Sequence, residues 1–448
     1  MLSLSVYTLG CKLNQAESEA VAAAFKREGF QVAPWGSATD ILAVNTCTVT
    51  SKAEQKARRI IRAALRANPR SCVIVTGCYA QVARPALEAL ADAASRAQGR
   101  FFVLNGDLKS ALLDLPGFIR RNSGNSAPDP EQLPALLGQW ERVSPSAAPD
   151  DRFRFNGEDL SFHSRPFLKI QDGCNHACSY CRVPLARGKS VSLEAGQVLA
   201  RLKALEARGF GEAVLTGVNI GCYDAGGFDL AMLLSLLLRE TRSIAIRLSS
   251  LEPQGLRPAL LDALADGRIR PHFHLSVQSG SPAVLRRMRR TYGPGEVVRA
   301  AEQLRALKGD PFLACDMIAG FPGERDGDFR QSYELCQRLD FAWIHPFPYS
   351  RRPGTEAAGF EEAVPEREAA ARVKALTALA HEGRKAYIAR WLGKTVEAIP
   401  ESGAALSANY LRLLVPATVA ERRFLCRIQS LPLADRRFDA QAIPIHTS

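Results

Sequence analysis

Residues 164–183 read SRPFLKIQDGCNHACSYCRV and place three cysteines in the loop that follows a short apolar strand. Cys174, Cys178 and Cys181 have the spacing C-x3-C-x2-C, and no fourth cysteine lies nearby. Three thiolates from one loop can hold three irons of a [4Fe-4S] cluster, which leaves the fourth iron open for another ligand. The spacing leaves two alternatives, a zinc site completed by His176 and thiols grouped by chance.

The chain around this loop alternates short apolar runs with helical stretches. The candidate strands lie at 167–171, 213–216, 245–249, 274–277, 312–318 and 341–347. Six such β/α units predict an open, partial (β/α)6 barrel, in which the active site lies at the C-terminal ends of the strands. Polar residues follow several of these strands, and we expect cofactor or substrate contacts at Asn219, Ser250, Gln278 and Asp316.

The first hundred residues predict a separate α/β domain with a parallel, doubly wound sheet. Apolar runs at 4–9, 41–45 and 73–76 alternate with amphipathic stretches at 17–28, 52–66 and 83–91.

Cys11, Cys47 and Cys78 each follow one of these apolar runs directly. The C-terminal ends of parallel strands share one edge, where such folds bind ligands, so the three thiolates can converge on a second cluster. For any one of them, a buried structural cysteine is the alternative. The other five cysteines fit no ligand pattern and are expected to be structural: Cys72, Cys222, Cys315, Cys336 and Cys426.

Composition limits the class of protein. The 448 residues are 46% hydrophobic, carry a formal charge of +12 and include no apolar stretch as long as the roughly 20 residues of a membrane span. No signal-peptide pattern is seen at the N-terminus, so we expect a soluble cytoplasmic protein with reduced cysteines. The excess of positive charge favours a polyanionic partner.

Changes in composition divide the chain into four predicted segments. Residues 122–163 are rich in Ser, Pro, Asn and Asp, which is typical of a linker. Short β-like runs at 395–399, 410–415 and 423–428 predict a small C-terminal β domain. The predicted organisation is an N-terminal domain at 1–121, a linker at 122–163, a barrel at 164–392 and a β domain at 393–448.

The chain resembles the methylthiotransferase family of radical S-adenosylmethionine (SAM) proteins from about residue 1 to 357. The resemblance rests on Ser164–Cys174, on the segment Asp316–Glu324 and on His345–Ser350. It implies two [4Fe-4S] clusters, with SAM bound to the open iron of one of them and a methylthio group delivered from the other.

The resemblance also assigns roles to individual residues. It makes Cys174, Cys178 and Cys181 ligands of the radical SAM cluster and places Tyr180 near the adenine of SAM. It makes the other trio ligands of an auxiliary cluster: Cys11, Cys47 and Cys78. Asn219, Ser250, Gln278 and Asp316, expected as contacts from their place at the strand ends, would then contact SAM or substrate.

Within the family, Thr8–Gln15 and Asn45–Thr50 are similar to the branch that acts on N6-threonylcarbamoyladenosine at position 37 of tRNA. The implied partners are tRNA and an electron donor such as flavodoxin or ferredoxin. The branches acting on isopentenyladenosine and on a ribosomal-protein aspartate are alternatives, and a non-catalytic iron–sulfur protein that binds RNA is an alternative of another class. The C-terminal segment resembles the RNA-binding TRAM β-barrel in place and length, with Asn409–Tyr410 as its matching piece, and otherwise diverges.

Three basic clusters are candidate contacts for RNA phosphates. They are Lys56, Arg58, Arg59, Arg62 and Arg66 at helical spacing; Arg286, Arg287, Arg289 and Arg290 with Tyr292; and Arg351 with Arg352. Solvated helix faces are the alternative interpretation. With the family resemblance, contact with the RNA backbone is the preferred one.

Overall fold

A computed structural model of the chain describes residues 1–91, 98–123, 129–143, 152–155, 162, 164–401, 404–415, 422–431 and 437–445. The chain separates into two compact units. The first comprises Met1–Phe162, Phe167–His176 and Cys181–Val191, and the second comprises His163–Pro166, Ala177–Tyr180 and Ser192–Ser448. Cys174 and Cys181 therefore belong to the first unit, and Cys178 belongs to the second.

The first unit contains a five-stranded parallel sheet of order β2-β1-β3-β4-β5 with helices along it. The strands of this sheet are β1 Ser3–Thr8, β2 Gln31–Val32, β3 Ile41–Thr46, β4 Cys72–Gly77 and β5 Phe101–Val103. The unit also contains the short strands β6 Phe167–Lys169 and β7 Gln171–Asp172. Its helices are α1 Lys12–Arg27, α2 Ser51–Ala67, α3 Cys78–Glu88, α4 Leu115–Asn122, α5 Leu133–Val143 and α6 Val183–Arg187, with 3-10 turns at Gly106–Leu113 and Pro130–Gln132.

Strands β3 and β4 are buried along their whole length, as expected of parallel strands covered on both faces. Alternate side chains of these strands point to opposite faces of the sheet and pack in two different hydrophobic cores. Ile41 and Ile74 pack with Phe25 of α1, whereas Val44 packs with Ile61 of α2. The predicted parallel, doubly wound N-terminal sheet is thereby confirmed.

The predicted linker at 122–163 differs from what the structure shows of it. Leu133, Leu136, Leu137 and Trp140 of α5 are buried in the core of the first unit, so this stretch is part of that fold. The Ser- and Pro-rich composition of the whole segment predicted a linker, although the segment includes the short amphipathic helix α5. Residues 124–128, 144–151, 156–161 and 163 lie outside the described part of the chain, and the predicted domain boundaries stay predictions.

The second unit contains five of the six strands of the predicted barrel, whereas the predicted strand at 167–171 falls in the first unit as β6 and β7. The five strands are β9 Glu212–Thr216, β12 Ala245–Leu248, β13 His272–Gln278, β14 Phe312–Ala319 and β15 Trp343–Pro348, with a small hairpin of β10 Asp224–Ala225 and β11 Phe228–Asp229. The two-residue β8, Val191–Ser192, lies where the chain passes into this unit. The helices are α7 Ala195–Ala207, α8 Leu230–Glu240, α9 Pro258–Ala265, α10 Pro282–Arg287, α11 Pro294–Lys308, α12 Asp326–Arg338 and α13 Glu366–Trp391, with 3-10 turns at Ile220–Cys222, Pro253–Gly255 and Glu356–Gly359.

These strands form a parallel arc. β9 pairs with β12, Leu251 just beyond β12 bridges to Leu275 of β13, and β13, β14 and β15 pair in that order. The arc with its intervening helices confirms the predicted partial (β/α) barrel. No described helix is both long and apolar enough to cross a membrane.

The C-terminal segment is a closed barrel of order β16-β17-β18-β20-β19, which confirms the predicted β domain. Its strands are β16 Thr395–Glu401, β17 Ala404–Ser407, β18 Arg412–Leu414, β19 Phe424–Ser430 and β20 Ala440–Ile445. Tyr410 adopts a φ of 67°, which places its ring 3.9 Å from the ring of His272. The predicted match at Asn409–Tyr410 thus lies where this barrel packs on the second unit's core.

Candidate cofactor and active site

Three cysteines of the first unit lie at one edge of its sheet. Cys11 precedes α1, Cys47 follows β3 and Cys78 begins α3. Their strands β1, β3 and β4 are direct neighbours, and Thr8, Asn45 and Thr76 are paired across them in register. The structure therefore brings the trio to one edge, as the sequence predicted.

The turn before Cys11 is shaped to receive the sulfur of Cys47. Gly10 has a φ of 102°, and a Cβ at this position would lie 2.9 Å from Sγ of Cys47. That sulfur also accepts a hydrogen bond of 3.5 Å from the backbone N–H of Val49. Burial raises the pKa of the Cys47 thiol to about 12. Since a bound metal replaces the thiol proton, coordination would let this buried sulfur act as a thiolate.

Asn14 links the Cys11 loop to the Cys47 loop through hydrogen bonds. This residue was not predicted from the sequence as part of the site. Its side-chain amide donates hydrogen bonds of 2.7 Å to the carbonyl of Leu9 and 3.0 Å to that of Thr46. Its side-chain oxygen accepts a hydrogen bond of 2.7 Å from Arg187. A polar residue three positions after a candidate ligand was the available signal.

A buried charge network surrounds Asn14. Glu17 pairs with Lys109 at 2.5 Å, Lys169 at 2.8 Å and Arg187 at 3.0 Å. Asp172 pairs with Lys169 at 2.6 Å and with Arg187 at 3.0 Å. Burial alone would raise the pKa of Glu17, but the neighbouring cations outweigh it and hold that pKa well below its usual value. Arg187 and Lys169 likewise lower the pKa of Asp172, so both carboxylates are ionised at neutral pH.

The three-cysteine loop offers backbone donors to its sulfurs. In the first unit, Sγ of Cys174 accepts from the N–H of His176 and Sγ of Cys181 from that of Val183, each at 3.4 Å. Gly173 has a φ of 71°, and a side chain there would collide with the backbone of Lys189. N–H groups directed at sulfur favour the thiolate form, so these residues suit an iron–sulfur cluster.

In the second unit, Tyr180 is held in one orientation. Arg290 donates a hydrogen bond of 2.7 Å to its hydroxyl and pairs with Glu252 at 2.9 Å. The ring of Tyr180 packs edge-on against Phe321. The predicted contact of Tyr180 with adenine stays a prediction.

His274, which was not predicted from the sequence, links two of the predicted contact residues, Ser250 and Asp316. Oγ of Ser250 lies 2.7 Å from Nδ1 of His274, and Nε2 of His274 lies 3.3 Å from a carboxylate oxygen of Asp316. His274 could have been noticed as one of the alternating histidines in the strand HFHLSV. Asn219 and Gln278 lie near the C-terminal ends of β9 and β13, and Gln278 has a φ of 68°.

Two hydroxyls at the neighbouring ends of β9 and β12 suit a bound polar ligand. Oγ1 of Thr216 and Oγ of Ser249 are buried and have no hydrogen-bond partner among the described residues. Buried polar atoms in native proteins normally have partners, so unmatched ones at the ligand-binding ends of strands fit a cofactor.

The basic clusters differ in how far they are neutralised. On α2, the exposed Arg59, Arg62 and Arg66 line one groove together with Gln55 and Arg58. In the second cluster, three of the four arginines pair with carboxylates: Arg287 with Glu362, Arg289 with Glu356 and Arg290 with Glu252. In the third cluster, Arg351 is exposed and Arg352 is buried. The groove on α2 is thus the better candidate for phosphates.

Two family profiles match the chain. Residues 168–336 match the Radical SAM superfamily, and residues 3–97 match the Uncharacterized protein family UPF0004. Among solved structures, the radical S-adenosylmethionine methyltransferase TsrM from Kitasatospora setae has a TM-score of 0.50 at 16% identity, covering 79% of this chain and 76% of its own. At that identity the likeness concerns the fold alone.

Curated relatives are similar over nearly the whole length. The threonylcarbamoyladenosine tRNA methylthiotransferase MtaB of Treponema pallidum is 43% identical, covering 92% of this chain and 94% of its own. The MtaB of Bacillus subtilis is 32% identical, covering 90% and 85%. The tRNA-2-methylthio-N(6)-dimethylallyladenosine synthase of Anaeromyxobacter dehalogenans is also 32% identical, covering 88% and 82%.

Proposed function

Because the chain belongs to the methylthiotransferase family of radical SAM proteins, we propose that it adds a methylthio group to C2 of N6-threonylcarbamoyladenosine at position 37 of tRNA. The relative that is 43% identical bears the name of this threonylcarbamoyladenosine activity. Membership in the radical SAM superfamily implies SAM and one [4Fe-4S] cluster. The proposal goes beyond family membership in three respects: the second cluster, the modified nucleoside and its position in tRNA.

The observation that carries the proposal is the meeting of Cys11, Cys47 and Cys78 at one sheet edge, separate in sequence from the three-cysteine loop. We assign these three to the auxiliary cluster, and Cys174, Cys178 and Cys181 to the radical SAM cluster. If bound in the loop, the latter cluster would supply the electron for reductive cleavage of SAM, which provides the radical needed to activate the target carbon. Methylthiolation needs both this radical and a source of sulfur, and two trios supply two sites.

Side chains of the second unit have the positioning roles. Arg290 orients Tyr180, the expected neighbour of adenine. His274 holds Ser250 and Asp316 in fixed relation, which gives SAM or substrate a preorganised polar contact. Asn219 and Gln278 stay proposed contacts.

The proposed RNA surface is the groove on α2. Thr50 caps this helix three residues after Cys47, so the arginines begin within three helical turns of a proposed cluster ligand. Regularly spaced exposed arginines suit the backbone of an RNA stem while a loop base is displaced for reaction. An electron donor such as flavodoxin or ferredoxin and a cytoplasmic location, where tRNA is found, complete the proposal.

Isopentenyl-type adenosine is the second candidate substrate, because a relative named for dimethylallyladenosine is 32% identical over 88% of this chain. The deciding experiment is an anaerobic assay with tRNA bearing either nucleoside, followed by mass analysis of the nucleosides. We expect methylthiolation of threonylcarbamoyladenosine, and none with the Cys178→Ala variant as control. Product on isopentenyladenosine alone would reject the proposed substrate, and product on neither with fully loaded protein would reject the reaction.

A further inference from the structure

Arg187 lies six residues after Cys181, yet its side chain contacts residues that hold Cys11 and Cys47 in place. We propose that Arg187 is a positioning residue of the auxiliary cluster, which fixes the Cys11 and Cys47 loops through Asn14 and places a positive charge next to them. This role rests on the second cluster of the proposed function. All of the contacts lie within the first unit.

The first part of the argument concerns the orientation of Asn14. An asparagine side chain has one donor end and one acceptor end. Arg187 can only donate, so its hydrogen bond of 2.7 Å requires the oxygen of Asn14 to face it. The amide end must then face the carbonyls of Leu9 and Thr46, to which it donates. One guanidinium thereby sets the bonds that tie the Cys11 loop to the Cys47 loop.

The second part concerns charge. The buried network contains two carboxylates, Glu17 and Asp172, and three cations, Lys109, Lys169 and Arg187, so it holds one positive charge in excess. A cluster held by thiolates carries net negative charge, and the cation that contacts the cysteine loops stabilises it most, because the attraction weakens with distance.

Arg187 is the cation of this network that bonds to Asn14, the side chain that links the two cysteine loops. Burial alone would lower its pKa, but Asp172, Cys78, Glu17 and Cys11 together raise that pKa well above its usual value. Its side chain is only 8% exposed, so water screens the interaction weakly. The network therefore joins the segment behind the loop cysteines to the edge that holds the other trio.

A purely structural ion pair is the competing explanation, and Lys109 provides the matched control. Lys109 pairs with the same Glu17 carboxylate and is as deeply buried, whereas the oxygen of Asn14 is held by Arg187. Loss of either cation should lower stability. Only loss of Arg187 should change the properties of the cluster.

The experiment uses the full-length chain with Cys174, Cys178 and Cys181 replaced by Ala, so that the first trio alone binds iron. In this background Arg187→Gln, Arg187→Lys and Lys109→Met are compared by circular dichroism, by iron release to a chelator and by redox titration. We expect Arg187→Gln to release iron about tenfold faster, as is usual when an outer-shell partner of a metal ligand is lost. Its reduction potential should become more negative, because the added electron has one neighbouring cation fewer.

Arg187→Lys should separate the two roles. It keeps the charge and loses the planar fork, so we expect a potential near the parent's together with faster iron release. Lys109→Met should keep both values near the parent's. The role of Arg187 would be overturned if folded Arg187→Gln released iron at the parent's rate and kept the parent's reduction potential. It would also be overturned if Lys109→Met changed both values as much as Arg187→Gln does. Neither result would argue against the auxiliary cluster. If the parent protein, which lacks Cys174, Cys178 and Cys181, bound no iron after reconstitution, the auxiliary cluster itself would be overturned.

Discussion

Arg182 and Glu54 form an ion pair of 3.1 Å that joins the residue directly after Cys181 to the helix that follows Cys47. Thr48 donates a hydrogen bond of 2.5 Å to the same carboxylate oxygen. Both charged side chains are largely buried, so their interaction is weakly screened.

We predict that Glu54→Gln lowers the free energy of unfolding by roughly 1.5–3 kcal/mol, as is typical for hydrogen bonds to charged groups. The measurement is urea unfolding of the metal-free chain followed by circular dichroism. Glu88→Gln is the control, because the Arg84–Glu88 pair is exposed and should contribute less than about 0.5 kcal/mol. Equal losses in the two variants would contradict the importance of the buried pair.

Iron content tests the number of clusters. We predict that the anaerobically reconstituted chain holds about eight irons, from two clusters of four. Replacement of Cys11, Cys47 and Cys78 by Ala should reduce the content to about four. A fully reconstituted parent with only about four irons would count against the auxiliary cluster.

The α2 groove should dominate RNA binding. We predict that reversing the charges of Arg59, Arg62 and Arg66 to Glu weakens tRNA binding and reduces the log–log salt slope by about 2–3, at roughly 0.7–0.9 per phosphate contact. Salt titrations of tRNA affinity measure both effects.

The second basic cluster is the matched comparison for that prediction. The variant Arg286→Glu, Arg287→Glu and Arg289→Glu should change the slope less, since two of its arginines already pair with carboxylates. A larger change in this variant than in the α2 variant would show that the RNA surface lies elsewhere.

The buried carboxylate of Glu212 in the second unit should make the free energy of unfolding depend on pH in the acid range. Burial alone would raise the pKa of Glu212, but Arg247, Arg165 and Arg270 outweigh it and lower that pKa to about 2 from 4.5. The lowered pKa stabilises the folded state fully above about pH 4.5, and this contribution is lost as the pH falls towards 2.

We therefore predict that Glu212→Gln lowers the free energy of unfolding by roughly 3–5 kcal/mol at pH 7, because it removes the carboxylate that pairs with the buried Arg247. The difference between parent and variant should shrink at pH 3. Urea unfolding of the metal-free proteins at both pH values measures it, and a difference that grows in acid would contradict this account.

Hydrophobic periodicity was sufficient to predict most strands and the cysteines that follow them. β3 was predicted at 41–45 and observed at Ile41–Thr46, and β14 was predicted at 312–318 and observed at Phe312–Ala319. Local pattern decides such buried strands. The position of Cys47 followed from the end of β3, because a strand's end is itself a local property.

Contacts between residues far apart in sequence were not predictable in this way. Glu17 and Arg187 are 170 positions apart, so no local pattern links them. The arginines at 286–290 formed a basic run in the sequence, but Arg290 pairs with Glu252, 38 positions away. Pairing of this kind depends on the packed fold, and one chain's sequence does not display it.

The central claim, that the two cysteine trios perform different parts of one reaction, is tested by measuring 5′-deoxyadenosine and methylthiolated nucleoside together in two variants. Cys178→Ala should give neither compound, because no electron reaches SAM. The Cys11→Ala, Cys47→Ala and Cys78→Ala triple variant should still form some 5′-deoxyadenosine and no methylthiolated nucleoside, with circular dichroism showing that its first unit is folded. Methylthiolated tRNA from the folded triple variant would contradict the division of labour.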